Sequence, residues 1–159
     1  MATLAQPVRL EVGTSEDLSD VMRIMETAFG TAYGEAWTRS QCAGILPMAG
    51  VSLTIARDRD NGHATGFSLV RSVADESELL LIAVLPSHHR QGVGGQLLGH
   101  FLDRARKAGL GRVHLVVGDG NPAVELYRAA GFVQVGRRRN YYHTPGGESF
   151  DALTLALQI

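Results

Sequence analysis

A short basic, glycine-rich segment at residues 88–95 carries the clearest chemistry in the chain. It follows an apolar run at 79–84 and precedes an amphipathic stretch at 96–108, so the pattern predicts a strand, a tight turn and a helix start. Glycine lets a backbone approach a ligand closely, and free N–H groups at a helix N-terminus attract negative charge. The segment is therefore predicted to bind a phosphorylated ligand at a strand end.

Two common phosphate-binding loops do not match this segment. A Walker loop requires Gly-Lys-Ser/Thr, which the sequence lacks, and a dinucleotide fingerprint requires glycine where Leu97 stands. Residues 89–94, His-Arg-Gln-Gly-Val-Gly, instead resemble the pyrophosphate loop of the GNAT acetyltransferases, Gln/Arg-x-x-Gly-x-Gly/Ala, with His89 at the first position. The alternative interpretation is an ordinary solvated turn.

A second segment, residues 121–132, resembles the Asn-x-x-Ala-x-x-x-Tyr-x-x-x-Gly-Phe pattern of the same family, with Val124 in the Ala position. The resemblance implies acetyl-CoA as the cofactor, with Asn121 in contact with it and Tyr127 as the acid for its departing thiolate. Without the resemblance, Tyr127 would be interpreted as a packed aromatic residue. The cofactor-binding residues that the resemblance implies are Ile82, Ala83, Val84, His89, Arg90, Gln91, Gly92, Val93, Gly94, Gly95, Asn121 and Tyr127.

A third similarity concerns the acceptor. Residues 138–142, Arg-Arg-Asn-Tyr-Tyr, followed by Asp151-Ala152, are similar to the RimI-type members of the family, which acetylate the N-terminal alanine of a ribosomal protein. This implies an acceptor protein N-terminus held by Tyr141 and Tyr142, between the last two strands. Glu35 and Trp37 are expected to form the opposite wall of that groove. The alternative for the tyrosines is an exposed hairpin with aromatic cross-strand packing.

The general base is the uncertain member of this set. RimI-type enzymes resemble one another in a Leu-Glu-Val stretch, but here the sequence is Leu115-Val116-Val117, and Val116 cannot accept a proton. Glu78, at the start of a strand as in the histone-acetylating members, is the candidate base. A solvated Glu78 is the alternative. A water relayed to His114, His143 or a backbone carbonyl is the third possibility.

Composition restricts the function classes further. The 159 residues suit one domain, 1–159, and a net charge of −1 argues against nucleic acid as the main partner. A single cysteine, Cys42, excludes an internal disulfide, and the six histidines lack metal-binding spacing, so no metal is expected. The sequence shows neither a signal peptide nor a membrane span, which predicts a cytoplasmic protein. We expect a monomer or weak dimer.

Periodicity predicts an α/β protein with strands and helices in alternation. Thr14 or Ser15 is expected to cap a first helix that ends at about Gly30, and Asn121 to cap the last one. The other predicted helices are 38–48 and 96–108, and the predicted strands are 8–12, 51–56, 65–73, 78–84, 113–117, 132–135 and 152–157. The resemblance implies the GNAT fold: a mixed, mostly antiparallel, twisted sheet of six to seven strands, with helices on both faces and a central strand split at the acetyl-CoA site. Backbone groups at 82–85 would then stabilise the oxyanion.

These observations together predict an acetyl-CoA-dependent N-acetyltransferase in which the acceptor amine attacks directly. The expected acceptor is the N-terminal alanine of a ribosomal protein. A free α-amine titrates near ~7.7–8.0, whereas a lysine amine near ~10.4 needs far more help from a base. Two alternatives stay open: a GNAT enzyme that acetylates a small-molecule amine, and a non-catalytic acyl-CoA-binding module.

Overall fold

The computed structural model describes residues 8–29 and 35–159, which form seven strands and four α-helices. Two sequence-based predictions fall outside the described residues. One is the expected end of the first helix at Gly30, and the other is the absence of a signal peptide in the first seven residues. The strands are β1 (Val8–Gly13), β2 (Val51–Asp58), β3 (Ala64–Val73), β4 (Glu76–Val84), β5 (Arg112–Gly118), β6 (Val133–His143) and β7 (Ser149–Gln158). The helices are α1 (Leu18–Phe29), α2 (Arg39–Ile45), α3 (Val93–Lys107) and α4 (Ala123–Ala129).

All seven strands form one sheet in the order β1-β2-β3-β4-β5-β7-β6. Only β4 and β5, among these described strands, are parallel, because α3 carries the chain back across the sheet between them. The other neighbouring pairs are antiparallel. The predicted mixed, mostly antiparallel α/β sheet is thus confirmed.

The central pair separates part of the way along. β4 and β5 are in register only from Glu76 opposite Arg112 to Leu79 opposite Leu115. Leu80 forms a bulge in β4, because Val70 of β3 lies opposite Leu79 and Leu69 lies opposite Leu81. A bulge bends its strand and increases the local twist. We call the resulting gap between residues 80–84 of β4 and 116–118 of β5 the β4–β5 cleft, and it confirms the predicted split.

Helices cover both faces of the sheet, as predicted. On the face covered by α1 and α2, Ile24 and Met25 pack against Ile55 and Phe67, all four fully buried. On the face covered by α3 and α4, apolar residues at helical spacing on α3 pack against apolar residues of β5. They form a second core that includes Phe101 and Tyr127. The strands that border the β4–β5 cleft are therefore held between these two cores. No described helix is long and apolar enough to cross a membrane.

Side-chain caps begin the helices where the sequence predicts them. Thr14 caps a 3-10 turn, Ser15–Asp17, that leads into α1, and Thr38 caps α2 in a reciprocal capping box with Gln41. Helix α3 begins at Val93, three residues earlier than predicted, although Gly94 and Gly95 are poor helix formers. Val93 is buried against the sheet, and this packing outweighs the low helix propensity.

Strand β6 is much longer than the predicted 132–135 and extends to His143. Tyr141 and Tyr142 therefore lie within β6, and their predicted placement in the connection between the last two strands is wrong. Pairing with β7 is interrupted between Arg138 and Tyr142, where Asn140 adopts a left-handed φ of 51°. The segment is mostly exposed and lies at the sheet edge, so its sequence lacks the apolar alternation that indicates a strand.

Candidate active site

A small cavity of about 20 Å³ lies at the β4–β5 cleft, which is where the predicted chemistry requires one. A single water needs roughly 10–15 Å³, so the space accepts one small group without rearrangement. Strands β4 and β5, the first turns of α4 and the ends of the α1–α2 connection contribute its lining. The lining residues are Phe29, Glu35, Leu79, Leu80, Leu81, Ile82, Leu115, Val116, Val117, Asn121, Ala123 and Tyr127.

Glu35 supplies the carboxylate of this cavity. Its Oε1 accepts a hydrogen bond from the Gly118 backbone N–H at 2.8 Å, and the Asn121 amide Nδ2 lies 3.1 and 3.2 Å from its two oxygens. Burial raises the pKa of Glu35, and these hydrogen bonds only partly oppose that rise because they favour the charged form. Glu35 is thus a partly desolvated carboxylate that gains a proton more readily than a solvated one.

Tyr127 presents a phenol to the same cavity from α4. Its ring is 5% exposed and packs edge-on against Phe132, with centroids 6.0 Å apart. Burial and the nearby charge of Glu35 raise the pKa of Tyr127 well above its usual value, so the hydroxyl keeps its proton at neutral pH. None of the described residues hydrogen-bonds this hydroxyl, which leaves it available as a donor.

Asn121 connects α4 to Glu35. Its Oδ1 accepts from the Ala123 N–H at 2.9 Å. The N-cap of α4 is Pro122 and not the predicted Asn121, which lies one residue earlier. Its Nδ2 donates to Glu35. Both ends of the amide are therefore held by the protein, and the side chain fixes Glu35 relative to α4.

The glycine-rich loop ends in an open helix N-terminus. Gly92 precedes α3 with φ 82° and no side-chain cap, and the first helical hydrogen bond runs from Gln96 N to Gly92 O. The N–H groups of Val93, Gly94 and Gly95 are therefore left for an external partner. Arg90, with φ 61°, is exposed on the same loop. Free N–H groups, the helix dipole and a cation suit the pyrophosphate of CoA.

His89, the unusual residue of the loop, contacts the protein itself. Its Nε2 lies 2.8 Å from the Val84 carbonyl oxygen, and because a carbonyl only accepts, Nε2 carries the proton. Gln91 Nε2 likewise lies 3.4 Å from the Ser87 carbonyl oxygen. Both side chains fasten the loop to the end of β4, so the backbone of the loop is the part that faces outward.

The end of β4 is only partly available for hydrogen bonding. Residues 80–84, which include Ile82, Ala83 and Val84, border the cleft on the side where β5 has separated. The Leu85 N–H donates to the Thr65 carbonyl at 2.8 Å, so Leu85 supplies no free donor to an oxyanion. The expected donors are thus confined to the segment before Leu85.

Glu78 lies beside the cavity and not in its lining. It is opposite His114 on β5, with Oε2 3.6 Å from His114 Nε2, and both side chains are partly exposed. Val116, at the position of the missing glutamate, does line the cavity. The structure therefore brings Glu35 to the cavity and places Glu78 with His114 at its edge.

The two tyrosines of β6 lie on the outer side of the cleft. Their rings are 5.0 Å apart and nearly perpendicular, and the Arg138 guanidinium lies 5.5 Å from the centre of the Tyr141 ring. Tyr142 lies against Gly118, and burial together with Glu35 raises the pKa of Tyr142 to about 12. Tyr142 therefore approaches the Glu35 end of the cavity, whereas Tyr141 is 49% exposed.

Asp151 holds this part of β6 in place. Its carboxylate accepts from the Asn140 N–H at 2.9 Å and from Arg137 at 2.6 Å, and Arg137 also bonds Asp119 at 3.0 Å. The Asn140 and Arg137 hydrogen bonds lower the pKa of Asp151. The irregular segment that carries the tyrosines is thus tied to β7 and to the loop before α4.

Sequence reasoning missed Gly118, and Trp37 lies outside the cavity lining. A Cβ atom on Gly118 would collide with the Glu35 carboxylate, so glycine is needed for Glu35 to reach this site. A glycine at the end of a predicted strand was the available signal. Trp37 packs against the α1 core, its backbone N–H donates to the Met25 sulfur, and it does not line the cavity. Among the described residues, no three His, Cys, Asp or Glu side chains form a possible metal site.

Comparisons with known proteins place the chain among acetyltransferases. The ribosomal protein bS18-alanine N-acetyltransferase of Salmonella typhimurium is 39% identical over 129 residues, which cover 80% of this chain and 84% of that protein. The Haemophilus ducreyi protein of the same name is 32% identical over 86% of this chain and all of its own length. The crystal structure of the Escherichia coli ribosomal-protein-S18-alanine N-acetyltransferase superimposes with a TM-score of 0.85 at 31% identity, covering 96% of this chain and 94% of that one.

An Arabidopsis thaliana NAA60 structure, in complex with a bisubstrate analogue, has a TM-score of 0.80 at 18% identity and covers 96% of this chain and 98% of its own, which shows a shared fold. The model of the acetyltransferase (GNAT) family matches residues 18–132, from the start of α1 to the residue before β6. That range includes the glycine-rich loop, the β4–β5 cleft, Asn121 and Tyr127. This chain belongs to the acetyltransferase (GNAT) family.

Proposed function

We propose that this protein transfers an acetyl group from acetyl-CoA to the N-terminal alanine of a ribosomal protein, by direct attack of the α-amine. The observation that carries the proposal is the 39% identity with the Salmonella enzyme over 84% of that enzyme's length.

Acetyl-CoA, when bound, supplies the acetyl group as a thioester. The N–H groups of Val93, Gly94 and Gly95 would hold its pyrophosphate, with Arg90 as the nearby cation. The free edge of β4 at residues 82–84 would pair with the pantetheine arm and hydrogen-bond the thioester oxygen. A fixed backbone donor of this kind typically contributes about 2.7–4 kcal/mol to a transition state.

We assign the amine-binding role to Glu35. A carboxylate at the closed end of the cleft attracts a protonated α-amine, and its raised pKa favours acceptance of the proton that the amine must lose. Because an α-amine titrates near ~7.7–8.0, this transfer is only moderately uphill at neutral pH. The amine nitrogen then bonds to the acetyl carbon as the carbon–sulfur bond breaks.

Tyr127 is assigned to the departing thiolate. Its proton stays in place at neutral pH, since burial raises the pKa of the phenol. A phenol is a weaker acid than a thiol, so Tyr127 stabilises the negative sulfur chiefly by donating a hydrogen bond. The protonated α-amine loses two protons in all: Glu35 accepts the first and releases it to solvent, and the second, lost as the amide forms, completes the free thiol. No other reactant is required.

Glu78 is the competing candidate for the base. Its Oε2 lies 3.6 Å from His114 Nε2, but Glu78 lies outside the cavity lining. Tyr142 and Tyr141 would cover the acceptor chain as it leaves the cleft. This covered exit suits an extended peptide better than a compact polyamine or aminoglycoside.

The experiment is a comparison of acceptors, with release of free thiol as the readout. A peptide that begins with alanine, from the N-terminus of ribosomal protein bS18, should turn over. The same peptide with a blocked α-amine is the matched control and should not. Turnover restricted to small amines would overturn the assigned acceptor, and CoA binding without thiol release on any amine would indicate a binding module.

A further inference from the structure

A second cavity lies on the other side of β4, between α3 and strands β2, β3 and β4. Its volume is about 120 Å³, roughly ten times what one water needs, and it shares no lining residue with the cleft cavity. We call it the serine cavity, because five hydroxyl side chains line it: Ser52, Thr54, Ser68, Ser72 and Ser77. The proposed acetyl transfer uses none of them.

The hydroxyl groups are placed close together by the register of the sheet. Thr54 lies opposite Ser68, and Ser72 lies opposite Ser77 with the two Oγ atoms 2.9 Å apart. Ser68, Ser77 and Thr54 are only 1%, 3% and 7% exposed. This cluster beneath a helix otherwise packed on apolar residues lines the cavity with groups that can hydrogen-bond a polar occupant.

Two of these hydroxyls have no partner among the described side chains. Within residues 8–29 and 35–159, no side-chain hydrogen bond involves the Ser68 or Thr54 hydroxyl, although both residues are at least nine-tenths buried and line the cavity. A hydroxyl rotates freely, so each can donate to an acceptor placed between the strands and α3.

The charged residues that line the cavity favour a negatively charged occupant. His100 and Arg104, one turn apart on α3, line it, and none of its lining residues is acidic. Arg104 forms no ion pair with a described residue, whereas the neighbouring Asp103 lies 3.6 Å from Arg106. Burial is the main cause that lowers the pKa of His100; Arg104 and Lys107 also lower it, whereas Asp103 opposes them.

We propose that the serine cavity binds a compact oxyanion, such as inorganic phosphate, through the hydroxyls of Ser68 and Thr54 and the guanidinium of Arg104. Hydroxyl donors and a guanidinium match the acceptor oxygens and the charge of such an anion. The size of the cavity admits one such ion with bound water. A bound anion there would lie directly beneath α3, whose other end carries the pyrophosphate loop.

The test is a titration with inorganic phosphate, followed by the backbone amide signals in NMR, with CoA at saturation. Signals of Ser68 and Ser77 report the serine cavity, while those of Val93 and Gly94 report the pyrophosphate loop. We expect saturable shifts at the two serines in the presence of CoA. The two sets of signals keep the result independent of the proposed acetyl transfer.

Variants assign the contacts. Arg104→Ala removes an exposed cation and Ser68→Ala removes one hydroxyl, and each should weaken phosphate binding by about tenfold or more. Arg106→Ala is the matched control, because it removes the same charge from the same helix outside the cavity. The proposal is overturned if the serine signals do not saturate, or if Arg104→Ala and Arg106→Ala bind phosphate equally.

Discussion

Replacing Glu35 by glutamine tests the assignment of the amine-binding carboxylate. The glutamine side chain keeps the size of the original and one oxygen to accept from the Gly118 N–H, which lies 2.8 Å from the carboxylate in the native protein. The change removes the negative charge and the second acceptor, which Asn121 Nδ2 approaches at 3.2 Å. The variant therefore isolates charge and basicity from packing.

The substitution should affect stability and the reaction rate to different degrees. An amide facing the Asn121 amide leaves one polar group poorly bonded, at about 1–3 kcal/mol, but the removal of a desolvated charge offsets this. We expect stability near neutral pH to change little. Loss of a general base typically lowers the rate by about 10²–10⁴, or roughly 3–5 kcal/mol in kcat/KM.

The assay is thiol release from acetyl-CoA with the alanine-initiated peptide, measured across pH. Glu35→Gln should lower kcat/KM at neutral pH and flatten the acidic limb of the profile. Glu78→Gln, at the edge of the cavity and outside its lining, is the comparison variant. A Glu35→Gln enzyme with unchanged kcat/KM, together with a flattened limb in Glu78→Gln, would refute the reasoning and assign the proton to the Glu78–His114 pair.

Three further predictions concern the same cavity. Tyr127→Phe should lower kcat by about 10² or more with little change in KM, because only the donor to the thiolate is lost, and an unchanged kcat would remove Tyr127 from the mechanism. Gly118→Ala should displace Glu35 and lower kcat/KM, because a Cβ there collides with the Glu35 carboxylate, whereas Gly111→Ala, which meets no atom within 4 Å, should leave kcat/KM unchanged. Equal activity of the two alanine variants would show that Glu35 tolerates displacement. Since the pKa of Glu35 is raised above its ordinary 4.5 in the folded chain, its stabilising contribution is full below that value and is lost as the pH rises through the folded pKa. The stability of Glu35→Gln relative to wild type, measured by chemical denaturation, should therefore increase as the pH rises above the ordinary 4.5 of the carboxyl, and a difference that does not vary with pH would contradict the raised pKa.

Local sequence signals predicted most of the fold. Thr14 and Thr38 cap helices because a short polar side chain before an apolar period can bond free N–H groups. Strong apolar periodicity likewise located the strands and helices to within a few residues, apart from the end of β6. The glycine-rich loop was also recognisable from local sequence, because its predicted function depends on backbone groups that glycine exposes.

The assembly of the site was less accessible to sequence reasoning. Glu35 and Gly118 are 83 residues apart, and no local pattern shows that one accepts a hydrogen bond from the other. The length of β6 was underestimated because an exposed edge strand does not alternate in polarity. The hydroxyls of the serine cavity come from three strands, so their proximity depends on sheet register, which single-strand patterns do not fix.

The most direct test of the central claim is to locate the acetyl group on an acceptor that offers two amines. A peptide that begins with alanine and contains an internal lysine is incubated with the protein and acetyl-CoA, and the modified residue is identified by fragmentation mass spectrometry. We predict acetylation of the α-amine of the first alanine with the lysine unmodified. Acetylation of the lysine, or no acetylation of the peptide while a small amine turns over, would contradict the proposed function.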